Sequence, residues 1–103
     1  MRNRKTHFDI KPRNPAIPLP KRGGFLSVQA SEYNYCTPRH NQGPYSSYEV
    51  AYFDENDNWC DVPELGKSND GMVYGWIDKD VIVHILEKEG FSPSQIRKLL
   101  PDE

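Results

Sequence analysis

Residues 72–90 read MVYGWIDKDVIVHILEKEG and change from a strand pattern to a helix pattern at Asp78. The first six residues are rich in β-branched and aromatic types, which predicts a strand, and Gly75 within it predicts a bulge or a close approach by another segment. The apolar stripe that follows has helical spacing and consists of Val81, Ile82, Ile85 and Leu86. Gly90 ends this helix, since a left-handed residue is favoured there.

A second, shorter helix follows the first. Ser92 and Gln95 have the spacing of a capping box, and Pro93 occupies the first helical position, where its missing amide costs nothing. Pro101 ends this helix. The sequence therefore predicts two adjacent helices in the last quarter of the chain.

Three earlier segments have the features of strands. Residues 24–30 alternate apolar and polar side chains, and residues 47–54 are apolar on both faces, which is typical of a central strand. Residues 54–58 have turn chemistry, so residues 59–62 are expected to return as the partner in a hairpin. The predicted fold class is α+β, with a small antiparallel sheet of three to four strands followed by two C-terminal helices packed on one face.

Charge divides the chain into two predicted parts. Residues 1–24 contain seven basic residues and one acidic residue, a net charge of +6, whereas residues 25–103 contain six basic and fourteen acidic residues, a net charge of −8. We therefore predict a basic Pro-rich arm followed by an acidic domain. A basic arm favours phosphates or acidic surfaces, whereas an acidic body repels nucleic acid. The arm residues expected to contact a partner are Arg2, Arg4, Lys5, Lys11, Arg13, Lys21 and Arg22.

Four prolines within nine residues, Pro12, Pro15, Pro18 and Pro20, exclude a helix in the arm. Polyproline II or irregular structure is expected instead. The arm either extends into solvent or lies along the body through the apolar residues Ile10, Ile17 and Leu19.

The motifs that would indicate an enzyme are incomplete. Gly66-Lys67-Ser68 ends like a phosphate-binding loop, but Asp61 stands where that loop needs its first glycine. Zinc-binding residue types are present at Cys36, His40, Cys60 and His84, without the compact spacing that lets one loop present two ligands. We therefore expect no catalytic residues, no cofactor and no bound metal. A small hydrolase or zinc enzyme that uses a cysteine and a histidine ranks last.

No apolar run typical of a signal peptide or a membrane span is present, so a cytoplasmic protein is expected, with Cys36 and Cys60 as free thiols. A disulfide bond between Cys36 and Cys60 is the alternative, since the sequence does not fix their separation.

The Tyr-rich loop, residues 31–47, contains the most unusual stretch of the acidic domain, residues 32–41. It combines aromatic rings with a guanidinium in a polar segment, and these residue types dominate interface hot spots. The alternative is that the tyrosines only cover a sheet edge. The candidate partner-binding residues are Tyr33, Tyr35, Arg39, His40 and Tyr45.

Two hypotheses for function follow. The first is a non-catalytic interaction protein, such as a microbial or phage accessory protein or inhibitor, that binds a protein partner through its acidic body, Tyr-rich loop and basic arm. The second is a nucleic-acid-binding protein that uses the arm, with the domain as a scaffold.

Overall fold

A computed structural model describes residues 12–68 and 73–101 of the chain. It has the predicted α+β architecture, with one antiparallel sheet and two helices near the C-terminus. The strands are β1 (Ile17–Pro18), β2 (Phe25–Gln29), β3 (Ser47–Phe53), β4 (Trp59–Cys60) and β5 (Tyr74–Asp78), and the helices are α1 (Lys79–Lys88) and α2 (Pro93–Leu99). A short 3-10 helix, Pro63–Leu65, lies between β4 and β5.

The sheet is organised around β3, which is paired along both edges. One edge pairs with β2 in a continuous antiparallel register from Gln29–Glu49 to Phe25–Phe53. The other edge is shared, because β4 pairs with the end of β3 and β5 pairs with its beginning. The prediction that this strand is central is therefore confirmed.

The Pro-rich segment contributes a strand that the sequence did not predict. Ile17 and Pro18 pair with Leu26 and Phe25, so that β1 forms an edge of the sheet. Proline is tolerated on an edge strand because its missing amide can face away from the ladder. Residues 12–24 thus lie along the body, and Ile17 and Leu19 are buried in its core. The same prediction for Ile10 falls outside the described residues.

The core lies between one face of the sheet and the two helices. Leu26, Val28, Tyr48 and Val50 from the sheet form one buried cluster with Ile82, Ile85 and Leu86 of α1 and Ile96 of α2. The predicted apolar stripe of α1 supplies its buried residues, with Val81 only partly covered. The prediction that both helices pack on one face is confirmed.

The ends of both helices follow local sequence chemistry. Asp78 occupies the N-cap position of α1 but its side chain makes no capping hydrogen bond. Instead, the amide of Lys79 donates to the carbonyl of Ser46. Gly90 follows α1 with a φ of 100°, which is the left-handed conformation expected after a helix. The capping box of α2 is formed in both directions between Ser92 and Gln95.

An ionic clamp holds the turn after β1 against the end of α1. The guanidinium of Arg22 pairs with both oxygens of Glu64 at 2.9 and 2.8 Å and with Glu89 at 2.7 Å. Glu89 is only 4% exposed and also accepts hydrogen bonds from the amides of Lys21 and Arg22. Lys88 adds a contact of 3.1 Å to Glu64.

The clamp changes the acidity of its carboxylates. Hydrogen bonds from Arg22 lower the pKa of Glu64 from 4.5 to about 2. Burial on its own would raise the pKa of Glu89, but the hydrogen bonds from Arg22 and from the two backbone amides hold it below its ordinary value. Both groups are therefore charged in the folded protein at neutral pH.

Neither helix within residues 12–68 and 73–101 is long and apolar enough to cross a membrane. Both cysteines are free thiols, Cys36 buried and Cys60 partly exposed, as expected from the sequence.

Two glycines with similar φ provide a matched test of packing in the turn before β2. Gly24 and Gly66 have φ values of 75° and 73°. A Cβ on Gly24 would lie 2.2 Å from the carbonyl oxygen of Phe53, whereas a Cβ on Gly66 would have no atom within 4 Å. We expect Gly66→Ala to cost about 1–3 kcal/mol of unfolding free energy and Gly24→Ala at least about 2 kcal/mol more, measured by urea denaturation. Equal losses would contradict the close approach at Gly24.

The clamp also predicts a pH dependence. A carboxylate with a lowered folded-state pKa stabilises the fold above its unfolded value and loses this contribution as pH falls through the folded value. For Glu64 this loss of stability falls in the pH range from about 4.5 down to about 2, between its ordinary pKa and its pKa in the folded protein. The difference in unfolding free energy between wild type and Glu64→Gln should be largest above pH 5 and shrink towards pH 2. Glu87→Gln, at an exposed carboxylate of α1 outside the clamp, is the matched control for loss of the same charge. A constant difference for Glu64→Gln would contradict the assignment.

Candidate functional site

The Tyr-rich loop is fastened to β3 by one carboxylate. Glu49 lies in the middle of β3 and accepts a hydrogen bond from the amide of Tyr35 at 3.1 Å and one from the side chain of Asn34 at 3.0 Å. The loop is also joined to the start of β3 by a bridge between Thr37 and Ser47. The loop therefore has a fixed position beside the sheet.

A bulge in β5 lies opposite Glu49. Tyr48 and Val50 pair with Ile77 and Tyr74, so two residues of β5, Gly75 and Trp76, face a single residue of β3. The bulge predicted at Gly75 is thus confirmed. A Cβ on Gly75 would lie 3.1 Å from the Cβ of Tyr35, so the predicted close approach is present as well.

Trp76 has a backbone conformation that L-residues rarely adopt. Its φ is 53°, in the left-handed region, which costs about 1–2 kcal/mol for a bulky residue. Its amide donates to the carbonyl of Tyr35 at 2.9 Å, which ties the bulge to the Tyr-rich loop. The strained conformation turns the indole away from the core, so the side chain is 54% exposed.

The rings of Tyr35 and Trp76 stack on each other at the surface. Their centroids are 4.8 Å apart and their planes make an angle of 27°. The guanidinium carbon of Arg39 lies 5.3 Å from the centroid of Tyr35, within cation–π range. Tyr35 is 42% exposed. We call Tyr35, Arg39 and Trp76 the Tyr35–Trp76 patch.

The other candidate residues of the loop have different positions. Tyr33 is 71% exposed and lines a small cavity of about 170 Å³ together with Pro12 and Arg13. His40 is exposed. Tyr45 is 3% exposed and its hydroxyl donates to the carbonyl of His40, so its ring is part of the core rather than the surface.

The basic residues of the arm are also divided. Arg2, Arg4, Lys5 and Lys11 lie outside the described residues. Arg13 is exposed beside Tyr33, and Lys21 is exposed in the turn after β1. Arg22 is engaged by Glu64 and Glu89 inside the molecule, so its charge does not point to a partner.

The residue types that bind metal ions are not clustered in the described part of the chain. No group of three or more His, Cys, Asp or Glu side chains in the described part of the chain is arranged to hold a metal ion. Cys36 is buried, and its thiol approaches the carbonyl oxygens of Ser31 and Pro38 at 3.3 Å. His84 is exposed on α1.

Trp76 was missed as a functional candidate because its strand pattern favours a simple structural role. The only sequence signal was the glycine before it. A glycine inside a strand marks a bulge, and a bulge redirects the side chain that follows.

Comparisons with protein-family models, with curated proteins and with solved structures found no match to this chain. The geometry of the patch is therefore the basis for the functional argument.

The role of Glu49 in positioning the patch can be tested by fluorescence. Trp59→Phe leaves Trp76 as the only tryptophan. In that background, Glu49→Ala removes the acceptor that holds Tyr35 and should raise the quenching of Trp76 by acrylamide, because Tyr35 no longer covers one face of the indole. Glu55→Ala, in the turn between β3 and β4, is the matched control and should leave quenching unchanged. Unchanged quenching in Glu49→Ala would contradict this role.

Proposed function

We propose that this protein is a non-catalytic interaction protein that binds a protein partner through the Tyr35–Trp76 patch. The observation that carries the proposal is the exposed stack of Tyr35 and Trp76 on a strained backbone. Folding alone gives no reason to hold a tryptophan at a φ of 53° with its ring in solvent. Strain of this kind persists at sites where the position of the side chain serves recognition.

The residue types of the patch suit a protein–protein interface. Tryptophan, tyrosine and arginine are the types most enriched among hot spots. The rings are held in place before binding, by stacking on each other and by the hydrogen bonds of Glu49 and of the Trp76 amide. A preorganised aromatic surface loses little side-chain entropy on association, so more of its contact energy remains as affinity.

A second candidate function, binding of single-stranded nucleic acid, is favoured by one observation. Pro12 and Arg13 line a cavity with Tyr33, so the described start of the Pro-rich segment lies beside the Tyr-rich loop. Bases stack on exposed aromatic rings while cations contact the phosphates. The acidic character of the domain opposes this function, which is why we rank it second.

Affinity capture with the tagged full-length chain tests the first proposal. The double variant Tyr35→Ala/Trp76→Gly removes both rings, and glycine suits the φ of residue 76, so the fold should be retained. Proteins bound by wild type and by the control His84→Ala, at an exposed position of α1, should be lost with the double variant. For a partner identified in this way, calorimetry should show affinity weakened at least about tenfold. An unchanged set of bound proteins and an unchanged affinity would contradict the proposal.

Salt dependence separates the two candidates. A short single-stranded oligonucleotide is titrated against wild type and against a variant with Arg2, Arg4, Lys5 and Lys11 changed to Gln. Nucleic-acid binding predicts that log K falls with log salt by about 0.7 per neutralised phosphate and that the four changes remove this slope. Protein binding predicts no measurable affinity for the oligonucleotide.

A further inference from the structure

A second aromatic surface lies on the face of the sheet that the helices do not cover. Phe25 pairs with Phe53, and Phe53 pairs with Trp59 on its other side. Directly opposite residues in antiparallel strands point to the same face. Their strand neighbours Leu26, Val28, Tyr48 and Val50 point into the core, so Phe25, Phe53 and Trp59 face the other way. We call these three residues the aromatic row.

Phe25 and Phe53 of the aromatic row line an open groove. The rings of Phe53 and Trp59 have centroids 4.5 Å apart at an angle of 56°, and Phe25 and Trp59 are 39% and 43% exposed. Ala16, Phe25, Phe53 and Asp57 line the groove, which has a volume of about 380 Å³. Pro18, the register partner of Phe25, extends the row to the edge of the sheet.

The segment that follows β3 at one end of the groove carries one sign of charge. Residues 51–66 contain five acidic residues and no lysine or arginine: Asp54, Glu55, Asp57, Asp61 and Glu64. Glu64 is neutralised by Arg22, but the turn between β3 and β4 keeps Asp54, Glu55 and Asp57 at the end of the aromatic row. Asp54 is used within the turn, where it accepts hydrogen bonds from the amides of Asn56 and Asn58. Glu55 and Asp57 are exposed.

Asp57 occupies a position where glycine is favoured. Its φ is 64°, and three-residue and longer hairpin turns usually place a glycine at such a residue. Aspartate tolerates this conformation better than most residues, at some cost. Asp57 lines the groove and is exposed, so it adds a negative charge there that a glycine would lack.

We propose that the aromatic row binds a basic segment of a partner protein. A lysine or arginine side chain of that segment lies across the half-buried ring of Phe53 and the exposed ring of Trp59 and pairs with Asp57. An adjacent apolar side chain fills the groove between Ala16 and Phe25. Cation–π contacts and an ion pair at the rim of an apolar contact both select for cationic partners. A symmetric contact with a second copy of this chain is disfavoured in the groove, because two acidic turns would meet.

This inference is independent of the Tyr35–Trp76 patch. Phe53 is four residues along β3 from Glu49, a separation of about 13 Å at the usual rise of a strand. The two surfaces therefore engage different parts of a partner or different partners, and variants of one serve as controls for the other.

Fluorescence anisotropy with labelled synthetic peptides tests the proposal on the full-length chain. The probe is a peptide of alternating arginine and phenylalanine, and the control peptides replace arginine by glutamate or phenylalanine by serine. We expect binding of the first peptide only. Asp57→Gly should weaken it at least about fivefold and Trp59→Ser at least about tenfold, whereas Tyr35→Ala should leave it unchanged.

Stability and self-association complete the test. Asp57→Gly should keep or raise the unfolding free energy, because glycine suits the φ of residue 57, so its loss of binding cannot come from unfolding. Equal binding of the glutamate peptide, or binding that Asp57→Gly does not alter, would overturn the proposal. Dimerisation of the chain alone in sedimentation velocity, abolished by Trp59→Ser, would also overturn it, since a second copy would then cover the aromatic row.

Discussion

β3 is hydrogen-bonded along both edges. Its side chains alternate between the two faces of the sheet, and this alternation determines which residues lie on each face. Tyr48 and Val50 point into the core, whereas Glu49 and Phe53 point to the opposite face. Glu49 holds the Tyr-rich loop and Phe53 joins the aromatic row. A slip of one residue in register would exchange the two sets of side chains. The same core contacts that stabilise the sheet therefore position both candidate surfaces, although neither surface is part of the core.

The ionic clamp changes how charge is distributed between the arm and the domain. Once residues 12–24 are counted with the body they contact, nine basic and fourteen acidic residues give residues 12–103 a net charge of −5, and residues 1–11 retain +3. Glu89 is almost fully buried, and its charge would destabilise the fold if Arg22 did not pair with it. The pair therefore fixes the turn after β1 against α1. Arg22, Glu64 and Glu89 are satisfied internally. Glu55 and Asp57 are exposed in the turn beside the aromatic row, and the other exposed acidic residues of the described chain are Asp61, Asp78, Asp80 and Glu87.

Sequence reasoning succeeded where the signal is local. The capping box of α2, the stripe of α1 and the glycine after α1 depend on residues within one or two turns of each other. β1 was missed because four prolines argue against a ladder, and only the position of Pro18 on an edge makes pairing possible. Tyr45 was expected at the surface because its neighbours are polar, but a hydrogen bond from its hydroxyl to the carbonyl of His40 lets the ring enter the core. The aromatic row was invisible, because Phe25, Phe53 and Trp59 become neighbours only through strand register.

Backbone conformation links the two candidate surfaces. Among the described residues, four glycines have positive φ, and the only other residues with positive φ are Asp57 and Trp76. Four of these six positions are glycine, which adopts a positive φ without strain. At positions 57 and 76 the chain keeps a side chain, and each of these side chains lies at an exposed aromatic surface. Tryptophan gains nothing for the core at position 76, and aspartate adopts this conformation less readily than glycine at position 57. Our proposal that both side chains serve contacts outside the folded chain gives one physical reason for the two exceptions.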